Sequence, residues 1–407
     1  MSLREQVPGS GIAKATPINR NEILARARAL VPRLRERAEE ARRLRRVPDA
    51  TMADYDAAGF IRLAQPARFG GYELGWDILC EVSEILAAAD GSQAWIARIM
   101  ADHAQMVATF PAEAQDDVWA DNHLAHVAAA FDPVGRAKPV KDGFLFSGRH
   151  GFSSGIDHAQ WMICGGFITR GVELDGPHFF LVPRKDATVI DDWHTIGLEG
   201  TGSKSFEVKD VFIPAHRFLD GARARVGEGP GTAVNRTAVY RTPRGGITST
   251  GFAALAVGMA RGVLEEWLAY TAPRKSRGIP IAAQPGTQMT AARASAEIDA
   301  AAALYLGTIR RAMAVLEAGD KLTEMDLVTS RRNVAFACKL ALKAGTRLFN
   351  AAGGRALYQG NGIERQYRNL LGAVSHHGVV WDVAATGYGK MLLEEWASGP
   401  PAAAGKA

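Results

Sequence analysis

Three histidines and a group of hydroxyl side chains are the residues of this chain best suited to chemistry. His376 and His377 stand side by side in NLLGAVSHHGVVWDV, just after the arginine-bearing segment ERQYR. His103 lies in MADHAQMVATF, an apolar stretch at helical spacing. Imidazole is the side chain best placed to move protons near neutral pH, so His103 and His376 facing one pocket would form an acid–base pair. The plainer alternative makes His103 a satisfied core residue and the other two exposed residues at a helix start. In SGRHGFSSGIDHAQWMICGGF, a polar Ser153-Ser154-Gly155 break between two strands puts hydroxyls and backbone N–H groups at a rim. Such a rim can hydrogen-bond a ring nitrogen of a planar heterocycle while Phe152 or Trp161 stacks on its face. An ordinary serine–glycine turn explains the same residues. In DDWHTIGLEGTGSKSFEVKDVFIP, Gly197, Gly200 and Gly202 allow close backbone approach, and Thr201 and Ser203 add hydroxyls before a strand. Arg274, in TAPRKSRGIP, either complements the end of a helix or clamps a phosphate, and Gly353 and Gly354 offer a second close approach.

These residues need elements to position them. The first 123 residues read as a helical domain. Residues 22–46 form an amphipathic segment with a break or kink at Pro32, and residues 74–108 form two helices divided by Asp90-Gly91-Ser92, which also cap the second. Pro111 opens another helix. Residues 124–220 change to short apolar runs separated by Gly, Asp and Pro, as in HVAAAF, GFLFSG, HFFLVP and KSFEVKDVFIP, which predicts a small β-barrel or sandwich. Residues 221–407 begin with a Gly/Arg/Pro-rich connector and continue as long alanine-rich helices suited to a bundle. The fold class is therefore α+β, mainly α. AAGGRALYQGNG follows a helix rather than a strand, so it is not a dinucleotide-binding turn.

Composition narrows the function classes. The 407 residues are 47% hydrophobic and 22% charged, as in an ordinary globular protein. The net charge of +5 derives partly from residues 33–46, where arginine alternates with glutamate and alanine at helical spacing. That pattern is a solvated helix face, not a nucleic-acid patch, while a mildly basic balance suits a small phosphorylated cofactor. Cys80, Cys164 and Cys338 lie far apart in apolar runs, without metal-ligand spacing. Neither a signal-like apolar region nor a membrane-length apolar run occurs. The expectation is a cytoplasmic enzyme without metal, membrane or nucleic acid.

The order of these segments resembles the acyl-CoA dehydrogenase superfamily over residues 20–395. Within it, GRHGFSSGIDHAQW, GTGSKSFEVKDVFIP and RQYRNLLGAVSH resemble the two-component, reduced-flavin-dependent monooxygenases. The dehydrogenases usually place a glutamate base shortly after the R-x(2)-R pair, where this chain has Ser375-His376-His377-Gly378. The resemblance implies an N-terminal helical domain, a central β-barrel or sandwich and a C-terminal four-helix bundle. It implies oxygenation of an aromatic or heteroaromatic molecule through a flavin C4a-hydroperoxide, with reduced flavin (FMNH2 in preference to FADH2) and O2 as co-substrates. A separate NAD(P)H:flavin reductase would supply the flavin, and the assembly would be a homotetramer. His376 would stabilise the oxygenated flavin, with His377 as its alternate, Ser154 would meet flavin N5, and His103 would orient or deprotonate the substrate. Phe152, Ser153, Thr201 and Ser203 would shape the ring pocket, and Arg274, Gly353 and Gly354 would meet the phosphate end. The competing implications are an acyl-CoA dehydrogenase using FAD, and an N-hydroxylating relative. Two departures stand out: His150 replaces a usual tryptophan, a change that would alter the pocket floor, and KSRGIP lacks the phenylalanine of the dehydrogenase motif.

Overall fold

The computed structural model describes residues 18–398. Among the described residues six helices come first: α1 (Arg20–Glu36), α2 (Ala38–Leu44), α3 (Asp49–Ala58), α4 (Trp76–Ala89), α5 (Gly91–Val107) and α6 (Ala112–Trp119). Pro32 lies inside α1 without ending it, and the chain divides at Arg37 instead. Proline removes one helical hydrogen bond, but Ile23, Leu24, Ala27, Leu30 and Leu34 are buried on both sides of it and hold the helix together. Asp90 separates α4 from α5 and caps the latter, its carboxylate accepting the Gln93 N–H at 3.0 Å.

Seven strands follow: β1 (Val127–Val140), β2 (Gly143–Ser153), β3 (Trp161–Arg170), β4 (Glu173–Pro183), β5 (Thr188–Ile190), β6 (Lys204–Pro214) and β7 (Phe218–Leu219). They hydrogen-bond in the order β5-β6-β2-β1-β3-β4-β7, with β1 and β3 parallel. In a flat sheet β2 and β4, three places apart, would lie about 14 Å from each other. Yet the rings of Phe146 on β2 and Phe180 on β4 are 5.0 Å apart. The sheet therefore folds over on itself and encloses its own aromatic core.

His150 sits in that core, not at a pocket floor. Its ring lies between Phe146 (6.0 Å) and Phe206 (5.0 Å), nearly parallel to both. Neither ring nitrogen completes a hydrogen bond among the described residues; burial outweighs the nearby Asp132, which favours the proton, and pulls the pKa down to about 4. His150→Phe keeps the stack and removes two buried polar atoms, so it should raise stability by about 1 kcal/mol at neutral pH. The unfolded histidine takes up a proton near its ordinary pKa and the folded one resists until about 4. Wild-type stability therefore falls as pH drops through that window, and the advantage of His150→Phe should widen. Urea midpoints between pH 7 and pH 4.5 would check this.

After the short α7 (Gly221–Arg225), the chain forms α8 (Thr250–Thr271), a small hairpin of β8 (Lys275–Ser276) and β9 (Ile279–Pro280), then α9 (Pro285–Glu317), α10 (Glu324–Ala352), α11 (Gly362–Val374) and α12 (Trp381–Ala397). A capping box, Thr323 with Asp326, starts α10. Helix α11 runs antiparallel to α8: Gly362 packs on Glu266, Asn369 approaches Met259 across Gly91, and His376 reaches Phe252. No helix of the described residues is long and apolar enough to cross a membrane.

Candidate active site

Helix α5 carries the first wall. Trp95, Ile99 and His103 recur every fourth residue and share one face. His103 is buried, and its Nδ1 lies 2.8 Å from the Val127 carbonyl oxygen. A carbonyl can only accept, so Nδ1 carries the proton and Nε2 keeps its lone pair. The ring stands edge-on to Phe131 at 5.6 Å. The Arg244 guanidinium lies over the other partner of that contact, 4.8 Å from the Phe131 centroid, and bonds Asp102 at 3.0 Å. Burial pushes the Asp102 carboxyl up, but Arg244 and Arg98 outweigh it and hold it below the usual range. Burial dominates at His103 and pulls its pKa down to about 4.

The second wall comes from the end of α11. His376 follows this helix, and its Nδ1 accepts the Gly378 N–H at 3.0 Å. Its proton therefore resides on Nε2, the opposite tautomer from His103. The ring stacks on Phe252 at 4.1 Å and stands 5.9 Å from Trp95. Burial, then His377, depresses its pKa to about 4. His377 is exposed, with its ring 4.3 Å from that of His376.

The third wall joins the end of β2 to the loop before β6. Phe152 adopts a left-handed conformation, φ 57°, and its side chain is 78% exposed beside Trp193. Ser153 Oγ is buried without a partner among the described residues. Ser154 Oγ accepts the Trp95 indole N–H at 3.3 Å and meets Ser203 Oγ at 2.6 Å. Ser203 in turn meets Thr201 Oγ1 at 2.6 Å. Helix α11 fixes this loop as well: Asn369 Oδ1 accepts the Leu198 N–H at 2.8 Å, and Arg368 bonds Glu199 at 3.0 Å. A Cβ on Gly197 would fall 2.0 Å from the Arg368 carbonyl oxygen, so only glycine permits the contact. Trp95 thus connects all three walls, bonding Ser154 and flanking His376 from the helix that bears His103.

Arg274, Gly353 and Gly354 are not brought to this place. Arg274 packs on Tyr270 beyond the C-terminal end of α8, whereas Phe252 is near its start. The 22 residues of α8 span about 33 Å. The Gly353-Gly354 turn leads towards α11 at the same remote end, with open space around both glycines. A cleft of about 510 Å³, lined by Asp142, Phe144, Arg170, Asp175 and His178 among others, opens at the Gly143 end of β2. Ser153 ends that strand, so this cleft is separate from the three walls.

Known proteins carry the same arrangement of chain. The acyl-CoA dehydrogenase C-terminal domain matches residues 250–381. The crystal structure of a 3-HSA hydroxylase from a Rhodococcus species superposes with a TM-score of 0.89 at 31% identity, covering 92% of this chain and 98% of that one. The oxygenase subunit HsaA of a flavin-dependent monooxygenase from Rhodococcus jostii is 33% identical over 349 residues, 85% of this chain and 91% of that protein. This chain belongs to the oxygenase subunits of flavin-dependent monooxygenases. A further relative, the oxygenase component of an FADH2-dependent resorcinol hydroxylase from a Rhizobium species, is 31% identical over 386 residues, 91% of this chain and 94% of that protein.

The residues of this oxygenase subunit fit a flavin ring. The partnerless Ser153 hydroxyl, the Ser154–Ser203–Thr201 hydroxyls and the exposed Phe152 ring offer polar edge contacts beside an aromatic face. Sequence reasoning missed Trp95, Phe252, Arg244 and Asn369. The four-residue interval from Trp95 through Ile99 to His103 was a usable signal for the first. Nothing local marks Arg244, whose partner Asp102 is 142 residues away in the chain.

Proposed function

We propose that this oxygenase subunit hydroxylates a small aromatic or heteroaromatic molecule, using O2 and a reduced flavin that a separate NAD(P)H:flavin reductase delivers. The observation that carries this reading is the opposed pair of imidazole tautomers. With O2, reduced flavin supplies an electrophilic oxygen atom, and the side chains control protons around it. His103 Nε2, a lone pair in a buried pocket, accepts a hydrogen bond from a phenol or ring N–H, makes the ring carbon more nucleophilic, and takes the proton as the ring attacks the oxygen, when that proton becomes strongly acidic. His376 Nε2–H donates a hydrogen bond towards the oxygen being transferred. His377, being exposed, is the less suited of the neighbouring pair. Ser154 meets the flavin N5 edge, with Phe152, Ser153, Thr201 and Ser203 shaping the ring pocket. Enclosure by Trp95, Phe252 and Phe131 excludes water, which favours oxygen transfer over loss of peroxide.

Arg274 and the Gly353-Gly354 turn would serve the phosphate end from a neighbouring copy, because about 33 Å of α8 separates them from Phe252 in their own chain. This supports an assembly of at least two copies, for which a homotetramer is the proposed state. FMNH2 is the flavin assigned here, although the resorcinol-hydroxylating relative is named for FADH2. Anaerobic titration should give FMNH2 an affinity at least equal to that of FADH2. A clear FADH2 preference would reverse the assignment.

The deciding experiment is a single turnover of the protein with reduced flavin, 18O-labelled O2 and a panel of phenols and indoles. Labelled hydroxylated product is expected from at least one class. Quantitative hydrogen peroxide with every substrate, together with anaerobic bleaching of bound flavin by an acyl-CoA, would replace this reading with dehydrogenation. Label appearing on nitrogen of an amine substrate would redirect it to N-hydroxylation.

A further inference from the structure

The hydroxyls of the third wall form a chain in which each proton has one direction. Thr201 Oγ1 lies 2.8 Å from the Leu198 carbonyl oxygen. The carbonyl has no proton to give, so Thr201 donates. With that proton committed, the 2.6 Å contact between Ser203 and Thr201 requires Ser203 as donor. The 2.6 Å contact between Ser154 and Ser203 then requires Ser154 as donor. Ser154 also accepts the Trp95 indole N–H, a group that only donates. It is left with a free lone pair and no free proton.

The end of the chain is anchored. Leu198 is left-handed, φ 55°, its N–H bonds Asn369 at 2.8 Å, and its carbonyl also receives the Trp193 indole N–H at 3.0 Å. Ser154, Thr201 and Ser203 are buried (7%, 1% and 5% exposed), so bulk water does not reverse the protons.

We infer that Thr201 sets the redox selectivity of the flavin site: it fixes the direction of the chain and so makes Ser154 an acceptor only. Reduced flavin carries a proton on N5 and satisfies that acceptor. Oxidised flavin presents a bare N5, and two lone pairs would face each other in a buried place. Thr201 is therefore a positioning residue acting through Ser203 and Ser154. Such a site takes reduced flavin from a reductase and lets the oxidised form go after turnover. The inference rests on the functional reading above, which puts Ser154 at flavin N5.

The test is anaerobic equilibrium binding of reduced and oxidised FMN to the intact protein, without substrate or turnover. Wild type should prefer the reduced form by about tenfold, one buried hydrogen bond's difference. For a two-electron couple, that ratio raises the potential of the bound flavin by about 30 mV. Thr201→Val frees the Ser203 proton to turn towards Ser154, whose own proton can then face the flavin, and the preference should fall towards unity. Ser203→Ala breaks the chain at a second point and should do the same, while Thr201→Ser should retain the wild-type ratio. An unchanged ratio in both Thr201→Val and Ser203→Ala overturns the inference, and Ser203→Ala decides alone if Thr201→Val does not fold. Wild-type protein that hydroxylates its substrate yet binds both flavin forms equally also overturns it, leaving the functional reading intact. Wild-type protein that binds no reduced flavin removes both.

Discussion

His103→Asn is expected to lower product formation by about 10²- to 10⁴-fold, the usual worth of a positioned general base. Asparagine can still donate to the Val127 carbonyl, as His103 Nδ1 does at 2.8 Å, but offers nothing at the place of Nε2. Reduced flavin should still be consumed, with its electrons appearing as hydrogen peroxide. One further readout separates a base from a structural residue. With a phenol substrate, the defect should shrink as pH rises towards the phenol's own pKa, about 10, because the substrate then arrives already ionised. A defect of constant size across that range would count against His103 as the base. The acid side is set by the histidine itself, whose pKa burial lowers to about 4. Its lone pair is available at neutral pH and is lost as pH falls through that value. The folded protein becomes less stable over the interval between the ordinary histidine pKa and about 4, because the unfolded chain binds the proton first.

The second large effect belongs to His376. Loss of one preorganised donor at a developing charge typically costs about 10²- to 10³-fold. His376→Phe keeps the stack on Phe252 and removes the Nε2–H, so product per reduced flavin should fall by that order while peroxide rises to match. His377→Ala should stay within about twofold of wild type, since the side chain is exposed and makes no hydrogen bond among the described residues. Parallel measurement of product and peroxide for the two variants is sufficient. Equal losses at both positions would mean that the pair acts through the local backbone rather than through one ring.

Much of the scaffold was legible because it follows from periodicity and breakers. Asp90 was readable as both break and cap, and the switch from helix spacing to short β-branched runs near residue 124 anticipated the strands that begin at Val127. Pro32 misled because a local rule was overruled by packing on both sides of it. The chemistry-bearing residue types were visible in the sequence, but their hydrogen-bond directions were not. Which nitrogen of His103 or His376 holds the proton depends on the Val127 carbonyl and the Gly378 amide, a strand and a turn that meet the rings only after folding. Likewise, Arg274 carries the right charge for a phosphate, and only the length of α8 reveals that its own chain keeps it away.

Every one of the seventeen residues of α5, from Gly91 to Val107, is buried. A helix enclosed on all sides has no face on which an altered side chain can relax, and enlarging a residue in such packing costs roughly 1–3 kcal/mol. Substrate range is therefore hard to evolve through Trp95, Ile99 or His103. The room for adaptation lies opposite, at the half-buried Phe131 and Phe252 on a strand and at a helix start. Laboratory selection for bulkier rings should collect its first successful changes at those two positions and leave α5 untouched.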